Sequence, residues 1–457
     1  MSGEAAAAAS QAQAPAHPYR SDFARLTRLA GPVVAARLGI MVMGVTDTIV
    51  VGRHSAEQLG FMALAWAAAS SVLSSALGLL SGIQVMTSRA LGEGRPAGAG
   101  AALRRGVVYG LWIGVIAGAV LAVGGPLLLS SLGLKGGLAE GARAPLVILA
   151  VSMPSFALSA ASATWLEGLG RTTPPMLLMW GANLLNLGVD LVLVPGAFGL
   201  PALGAAGAAT ATFSARTFLA LSTLAYVALM KDSRRLGVFT RPPRSRPLEI
   251  EQRRIGYGAA ASAFFETTAF ASMNVVAGWI GPLAVAAWAV ALNMAALIFM
   301  VPLGMATATA VMVARAFGAG DAPGLQRAAV LGFGVTAAFG IAIGLAIWPS
   351  ARAIAPIFTA DPSTLTMAAA ALALSCLFYL PDGLQVVAAQ SLRARGDVLV
   401  PTITHLASYI AVMLPLGYVL ALPLHLGLTG VVLAVILASW LSAGLLLGRF
   451  WLLARRG

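Results

Sequence analysis

Charge is scarce in this chain. Asp, Glu, Lys and Arg make up 10% of its 457 residues while 59% are apolar, and the mean hydropathy is +0.87. That balance excludes an ordinary soluble domain and puts the chain in the membrane class. Cysteine is nearly absent: Cys376 stands alone in an apolar segment, so a disulfide framework and a cysteine metal site are excluded and a filler role is left. The four histidines, His17, His54, His405 and His425, are scattered without HExxH or other ligand spacing, which argues against a transition-metal site. No Walker A sequence occurs. Gly92-Glu93-Gly94 and Gly318-Ala319-Gly320 are helix-ending turns with no Lys-Ser/Thr behind them, so direct drive by ATP is not expected. No nucleophile, base or metal cluster is arranged for catalysis, and neither an enzyme nor a bound cofactor is expected. Residues 1–24, rich in Ala, Gln, Pro and Ser, lack the apolar core of a secretory signal and read as a disordered cytoplasmic tail.

What is present is long apolar runs. Gly106 to Leu129, Gly258 to Gly281 and Leu331 to Trp348 each approach or exceed the roughly 20 residues that cross a bilayer as helix. Helix is required, because an open sheet edge does not survive in lipid. Gly, Pro and charge punctuation gives twelve spans, starting near residues 28, 60, 102, 144, 174, 203, 249, 285, 328, 363, 400 and 427. Of the 29 Lys and Arg, four fall outside (Arg53, Lys135, Arg143, Arg352), two fall within spans (Arg37, Arg216), and the rest are cytoplasmic with both termini. The densest cluster, Lys231, Arg234, Arg235, Arg241, Arg244, Arg246, Arg253 and Arg254, surrounds Pro242, Pro243 and Pro247 and marks an interdomain linker. The net charge of +13 is thereby explained by topology and by contact with anionic membrane lipids, and no nucleic-acid partner is expected.

The chain also repeats itself. Leu77 to Gly94 aligns without gaps to Leu303 to Gly320, an offset of 226 residues, and the same offset relates Gly114 and Gly118 to Gly340 and Gly344, and Gly170 and Pro175 to Gly396 and Pro401. A looser copy pairs Leu203-Gly204 and Gly207 with Leu426-Gly427 and Gly430. Six spans duplicated as six keep their orientation, which is a transporter architecture with the substrate path between the repeats. The glycines themselves are read as close packing between helices. The expected fold is an all-α integral membrane protein of twelve transmembrane helices in two pseudo-symmetric six-helix bundles. The divisions are a tail at 1–24, an N-terminal lobe at 25–230, a basic linker at 231–248, a C-terminal lobe at 249–452 and a cytoplasmic tail at 453–457.

The few acids inside those spans carry the functional reading. A bare charge at the bilayer centre costs about 2.5 kcal/mol or more, so such residues face the bundle interior and serve transport or ion binding. Low dielectric disfavours an ionised carboxylate, so an acid there can exchange a proton, a small cation or a substrate ammonium. A ligand then shifts the conformational balance only through differential affinity for the two states. Asn186 and Asp190 are four apart on one face of span five, with Asn183 a turn earlier, and Asp47 late in span one can converge on them. An oxygen-only set suits a proton or sodium. The bland alternative is that these acids satisfy one another or neutralise Arg37 and Arg216. In the second half, Glu266 in span seven and Asp382 in span ten, with Gln385 a turn beyond, have no basic residue in their own apolar stretches. Phe264, Phe265, Trp288, Asn293, Met294, Phe299, Met300 and Met305 are candidates to line an adaptable substrate cavity, or else core or lipid-facing residues. Glu167 beside Arg171 reads as an interfacial ion pair, and Glu57, Glu93 and Asp321 as loop charges.

Several stretches converge on one family. Asp47-Thr48 with Val51-Gly52-Arg53, Ser88-Arg89-Ala90-Leu91-Gly92-Glu93-Gly94, Phe264-Phe265-Glu266, and Pro381-Asp382 followed by Gln385 and Ser391-Leu392-Arg393 resemble the multidrug and toxic compound extrusion (MATE) family, in order, over about residues 25 to 452. The resemblance implies a V-shaped twelve-helix antiporter in a bacterial-type cytoplasmic (inner) membrane, monomeric, expelling organic cations and other amphipathic small molecules in exchange for protons or sodium. It implies cation coupling or substrate binding at Glu266 and Asp382, as in the NorM-like branch, and a cation site at Asp47, Asn186 and Asp190, as in the DinF-like branch. Arg37 departs from the family pattern in span one; a cation there gives the first-lobe acids a standing partner and favours Glu266 and Asp382 as the working pair. Two alternatives stand beside this. A lipid-linked oligosaccharide flippase of the same superfamily would need a cationic central cavity, where this chain is expected to offer mainly acids. A non-transport membrane protein would show no ion-dependent efflux.

Overall fold

Backbone amides inside hydrocarbon have no water to bond, so each apolar run closes its hydrogen bonds within a helix. The computed structural model describes residues 18–131, 137–240, 245–358 and 361–455. The first lobe comprises α1 (Pro18–His54), α2 (Ala56–Gly92), α3 (Pro96–Ser131), α4 (Leu138–Val151), α5 (Met153–Leu169), α6 (Thr173–Leu193) and α7 (Gly204–Leu229). The second comprises α8 (Arg246–Ile280), α9 (Pro282–Ala319), α10 (Ala322–Ile354), α11 (Pro362–Ala394), α12 (Leu399–His405), α13 (Leu414–Ala421) and α14 (Gly427–Ala454). A π-helical stretch, Leu406–Met413, joins α12 to α13 as one span, and α4 and α5 form another, bent by 42°. Each lobe therefore has six passes, twelve in all among the described residues.

One pass is weaker than the rest. Ten helices and the bent α4–α5 pair are long and apolar enough to cross a membrane, but α8 is not among them. Glu266, Thr267, Thr268, Ser272 and Asn274 dilute its apolar stretch. Glu266, Thr267 and Asn274 line the space between the lobes, which is how that helix carries them.

The expected N-terminal tail at 1–24 is corrected in part: residues 18–24 are already helical in α1, while 1–17 lie outside the described residues. In the expected linker, residues 231–240 form turns and α8 begins at Arg246, with 241–244 outside the described residues. Lys135 and residues 456–457 also lie outside them.

The duplication holds at the level of contacts. A Cβ on Gly114 would lie 2.6 Å from Pro154 Cα, and one on Gly340 would lie 2.8 Å from Leu380 Cα, so α3 seats on α5 as α10 seats on α11. Those contacts are the packing expected of small residues in membrane bundles. One buried apolar cluster, including Leu80, Leu146 and Trp165, belongs to the first lobe, and another, including Trp288, Leu372 and Val432, belongs to the second. A third joins them. Leu26, Val85, Met86 and Ala102 from the first lobe pack with Ile255, Met305, Val311 and Phe450 from the second.

That shared cluster lies at the end of the molecule where the linker runs, since Gly100 N–H bonds Leu236 C=O and Arg104 bonds Val238 C=O there. Cross-lobe hydrogen bonds gather on the same side. Gln84 Nε2 donates to Thr307 C=O at 3.0 Å, Gln252 Nε2 to Ala102 C=O at 3.3 Å, and Arg327 pairs with Asp22 at 3.1 Å. The lobes are closed on one another at the linker end, and the space between them lies beyond it.

Candidate functional site

Between the lobes is a cavity of about 920 Å³, with Gln84 and Thr307 in its lining. Its apolar wall includes Trp66, Phe156, Phe270, Phe299, Met300 and Phe378. Six charged side chains line it: Arg37, Glu167 and Arg216 from the first lobe, Glu266, Asp382 and Arg393 from the second. The expectation of a mainly acidic cavity is thus corrected to three charges of each sign. Two of the arginines sit within expected spans, but Arg393 was counted as cytoplasmic from its place at the end of α11.

The second-lobe acids both reach this space. Glu266 is half-buried on α8, and Asp382 is 9% exposed on α11, one residue after Pro381. A proline inside a helix removes a backbone hydrogen bond, so the helix here is locally weakened beside the acid. Gln385 is fully buried next to Asp382, as is Tyr409 from the π-helical stretch. The His405 ring meets Tyr409 edge-on at 5.6 Å, and Phe270 lies 6.3 Å from the same ring. Asp382 Oδ1, both Gln385 amide atoms, the Tyr409 hydroxyl and both His405 nitrogens have no hydrogen-bond partner. Buried polar atoms are normally paired; here Gln385 and Tyr409 lie within hydrogen-bonding reach of Asp382 without forming a well-aligned bond, beside the cavity. Arg393 Nη2 donates to Ser262 Oγ at 2.6 Å, one turn before Glu266 on α8, and faces Glu266 electrostatically. The second-lobe acids therefore do have a cation near them, contrary to expectation.

The first-lobe acids are differently placed. Asp47 is 1% exposed and Asp190 and Asn186 are fully buried; the three side chains adjoin one another on α1 and α6. None of them lines the cavity. Thr212 on α7 stands between, lining the cavity while its hydroxyl donates to Asp47 Oδ2 at 2.9 Å. Both Asp190 oxygens and both Asn186 amide atoms lack a hydrogen-bond partner. The donor set is carboxylate, amide and hydroxyl oxygen, which suits a proton or a hard cation. Asn183 instead spends its amide on Met179 C=O of its own helix at 2.9 Å.

The two cations of the first lobe have partners other than those expected. Arg37 pairs with Glu167 at 3.5 Å, and Arg171, the partner expected for Glu167, pairs with Asp232. Arg216 donates to Ser152 Oγ at 2.6 Å at the bend between α4 and α5, and its guanidinium lies over Phe156 at 5.2 Å and Trp66 at 5.7 Å. Stacking on two ring faces holds a buried guanidinium without a direct carboxylate partner.

Of the residues expected to line a substrate cavity, Phe299 and Met300 do so. Phe265, Trp288, Asn293 and Met294 do not. Trp288 is fully buried in the second-lobe core, where Met294 also packs; Asn293 is exposed and bonds Ala289 C=O at 2.9 Å; Phe265 stacks edge-on with Phe264 at 6.2 Å. On α9, Phe299 and Met300 sit on the face that meets the cavity, and Trp288, Asn293 and Met294 do not. Missed altogether were Thr212, His405 and Tyr409. A signal existed for each, since Thr212 is one turn before Arg216 and Tyr409 one turn after His405 within apolar stretches.

Comparison with known proteins agrees with this architecture. The MatE family model matches residues 32–192 and again 259–419, one match per lobe. A probable multidrug resistance protein NorM of Caulobacter vibrioides is 54% identical over 99% of this chain and 96% of that protein. The multidrug resistance protein PmpM of Pseudomonas aeruginosa is 31% identical over 88% of this chain and 85% of that protein. Among solved structures, a MATE protein crystallised in a bent conformation superposes with a TM-score of 0.86 at 22% identity, covering 94% of this chain and 96% of that one. The eukaryotic MATE transporter AtDTX14 gives 0.87 at 19% identity, covering 96% and 99%. With each lobe matched by the family model and a relative of 54% identity spanning it nearly end to end, the chain belongs to the MatE family, on its NorM-like side.

Proposed function

We propose that this protein is a secondary active multidrug efflux transporter of a bacterial cytoplasmic (inner) membrane, with both termini cytoplasmic. It exports organic cations and amphipathic compounds by antiport with protons or sodium, through rocking of its two lobes. The observation that carries this is the pair Glu266 and Asp382, on two helices of one lobe, lining an apolar-walled cavity with unpaired polar atoms behind them. A substrate cation and a coupling ion can compete for those oxygens, and competition is the simplest basis for exchange. The names of the NorM and PmpM relatives support the substrate class. The closed linker end and the cavity beyond it correspond to an outward-facing arrangement when the linker is cytoplasmic.

Dye efflux from proteoliposomes, with proton and sodium gradients imposed separately, tests the reading. Efflux driven by either gradient supports it; efflux that ignores both gradients refutes antiport. A lipid-linked oligosaccharide flippase remains the second reading, favoured by the three cavity arginines, Arg37, Arg216 and Arg393. Arg37 is neutralised by Glu167, whereas Arg393 and Arg216 have acids near them, Glu266 and Asp47, but bond serine hydroxyls instead. Translocation of a pyrophosphate-linked lipid without drug efflux would favour that reading instead.

A further inference from the structure

Both repeats carry an arginine at the same place, Arg89 near the end of α2 and Arg315 near the end of α9, and each reaches out of its own lobe. Arg89 Nε and Nη2 both donate to Ala394 C=O at 2.9 Å, and Nη2 approaches Arg393 C=O at 3.4 Å, in the last turn of α11. Arg315 Nη2 donates to Leu169 C=O at 2.5 Å and approaches Gly168 C=O at 3.4 Å, in the last turn of α5. Each lobe thus lends a guanidinium to the C-terminal carbonyls of a cavity-lining helix in the other. The last carbonyls of a helix have no partner within it and form the negative end of its dipole, so a cation there satisfies both.

The backbone around each arginine is shaped to admit it. Gly170 and Gly396 close α5 and α11 with φ of +78° and +91°. A Cβ on Gly170 would lie 3.2 Å from Arg315 Nη2, and one on Gly396 would lie 3.3 Å from Arg89 Nη2. One turn past each arginine, Gly92 and Gly318 let α2 and α9 touch; a Cβ on Gly92 would collide with Arg315 C=O, and one on Gly318 with Arg89 C=O. The two halves of the arrangement are unequal. Arg89 is buried, is also ion-paired with Glu251 of α8 and lies 4.8 Å over the Phe317 ring, whereas Arg315 Nε has no partner.

We propose that these two reciprocal arginine–carbonyl clasps hold the linker end shut and set the balance between the two openings of the transporter. Their chemistry fits a contact that must be made and broken repeatedly. A guanidinium and a backbone carbonyl are both readily hydrated when they part, and Glu251, the one carboxylate that parts with them, is 40% exposed and meets water at once. Two such contacts at symmetric positions must part together when the lobes rotate, which makes opening cooperative. The proposal rests on alternating access, so its test reads opening directly and not transport.

The measurement is a distance between spin labels at Arg95→Cys and Pro323→Cys, both exposed sites at the linker end in opposite lobes, in a Cys376→Ser background reconstituted in lipid nanodiscs. Lysine keeps the charge but cannot make the forked contact. The Arg89→Lys, Arg315→Lys double variant is expected to raise the ratio of long to short distances about tenfold. Arg89→Lys alone is expected to do more than Arg315→Lys alone. A double variant that elutes and melts like its parent yet gives the parent's distance distribution overturns the proposal. If the double variant does not insert, the single variants read the same quantity, and unchanged distributions in both overturn it equally. A parent whose labels never separate in any ion or substrate condition removes the alternating-access reading instead, and the clasps with it.

Discussion

The two lobes carry acids of the same kind in opposite settings. In the second, Glu266 and Asp382 line the cavity, and the polar groups behind them are unpaired. In the first, Asp47 and Asp190 are sealed away from it, and Thr212 bridges between the cavity and Asp47. Duplication therefore conserved the scaffold while the charges were redistributed over it. Glu167 and Arg393 show this most directly, since they occupy equivalent positions 226 residues apart with opposite charge. A substrate too large for a proton channel can meet the second-lobe acids directly. The first-lobe set meets the cavity through the Thr212 hydroxyl, which on the proposed reading suits that set to a small ion. On the proposed reading, access more than residue type separates a substrate site from an ion site.

The comparison predicts effects of different size. Glu266→Gln with Asp382→Asn should lower drug resistance in an efflux-deficient host to the level of the empty vector, with normal membrane expression; resistance retained at wild-type level would end the assignment. Asp47→Asn should be milder, cutting ion-driven efflux in proteoliposomes about tenfold while equilibrium binding of a lipophilic cation stays within about twofold. Equal loss of binding and transport would merge the two sites into one. Arg393→Gln removes the cation facing Glu266, so binding of a cationic substrate should tighten by a few fold, read as a lower Kd by dye titration. Weaker binding would mean that Arg393 orients the acids and does not compete with the substrate. Smallest in its effect on binding and transport, Thr212→Val removes one buried hydrogen bond to Asp47 and should cost about 1–3 kcal/mol of stability, seen as a lower melting temperature with little change in cation binding.

Much of the fold was legible in the sequence, because apolar runs of bilayer length admit little besides helix and the repeat of Leu77 to Gly94 exposes the duplication. Its limits were physical. Pro18 to Ala24 are too polar to read as part of a span, yet they are an extension of α1 in which Asp22 pairs with Arg327 of the second lobe. The π-helical stretch that brings Tyr409 to Asp382 leaves no periodicity to detect. For the site, Asp47, Asn186 and Asp190 were found as a group because helical spacing and burial of charge constrain them together. Arg393 was missed because counting charge by helix end ignores how far a long side chain reaches back, and the Arg37–Glu167 pair joins residues 130 apart that no local pattern links. Trp288 and Asn293 show the converse error, since aromatic and amide character on the right helix does not say which face meets the cavity.

The central claim, that a coupling ion and the exported cation compete at Glu266 and Asp382, is tested most directly by the Kd of a lipophilic cation measured across pH and sodium concentration in purified protein. Wild type should bind more weakly as protons or sodium rise, and Glu266→Gln with Asp382→Asn should bind weakly with no such dependence. Strong, ion-sensitive binding that survives in that double variant would contradict the account.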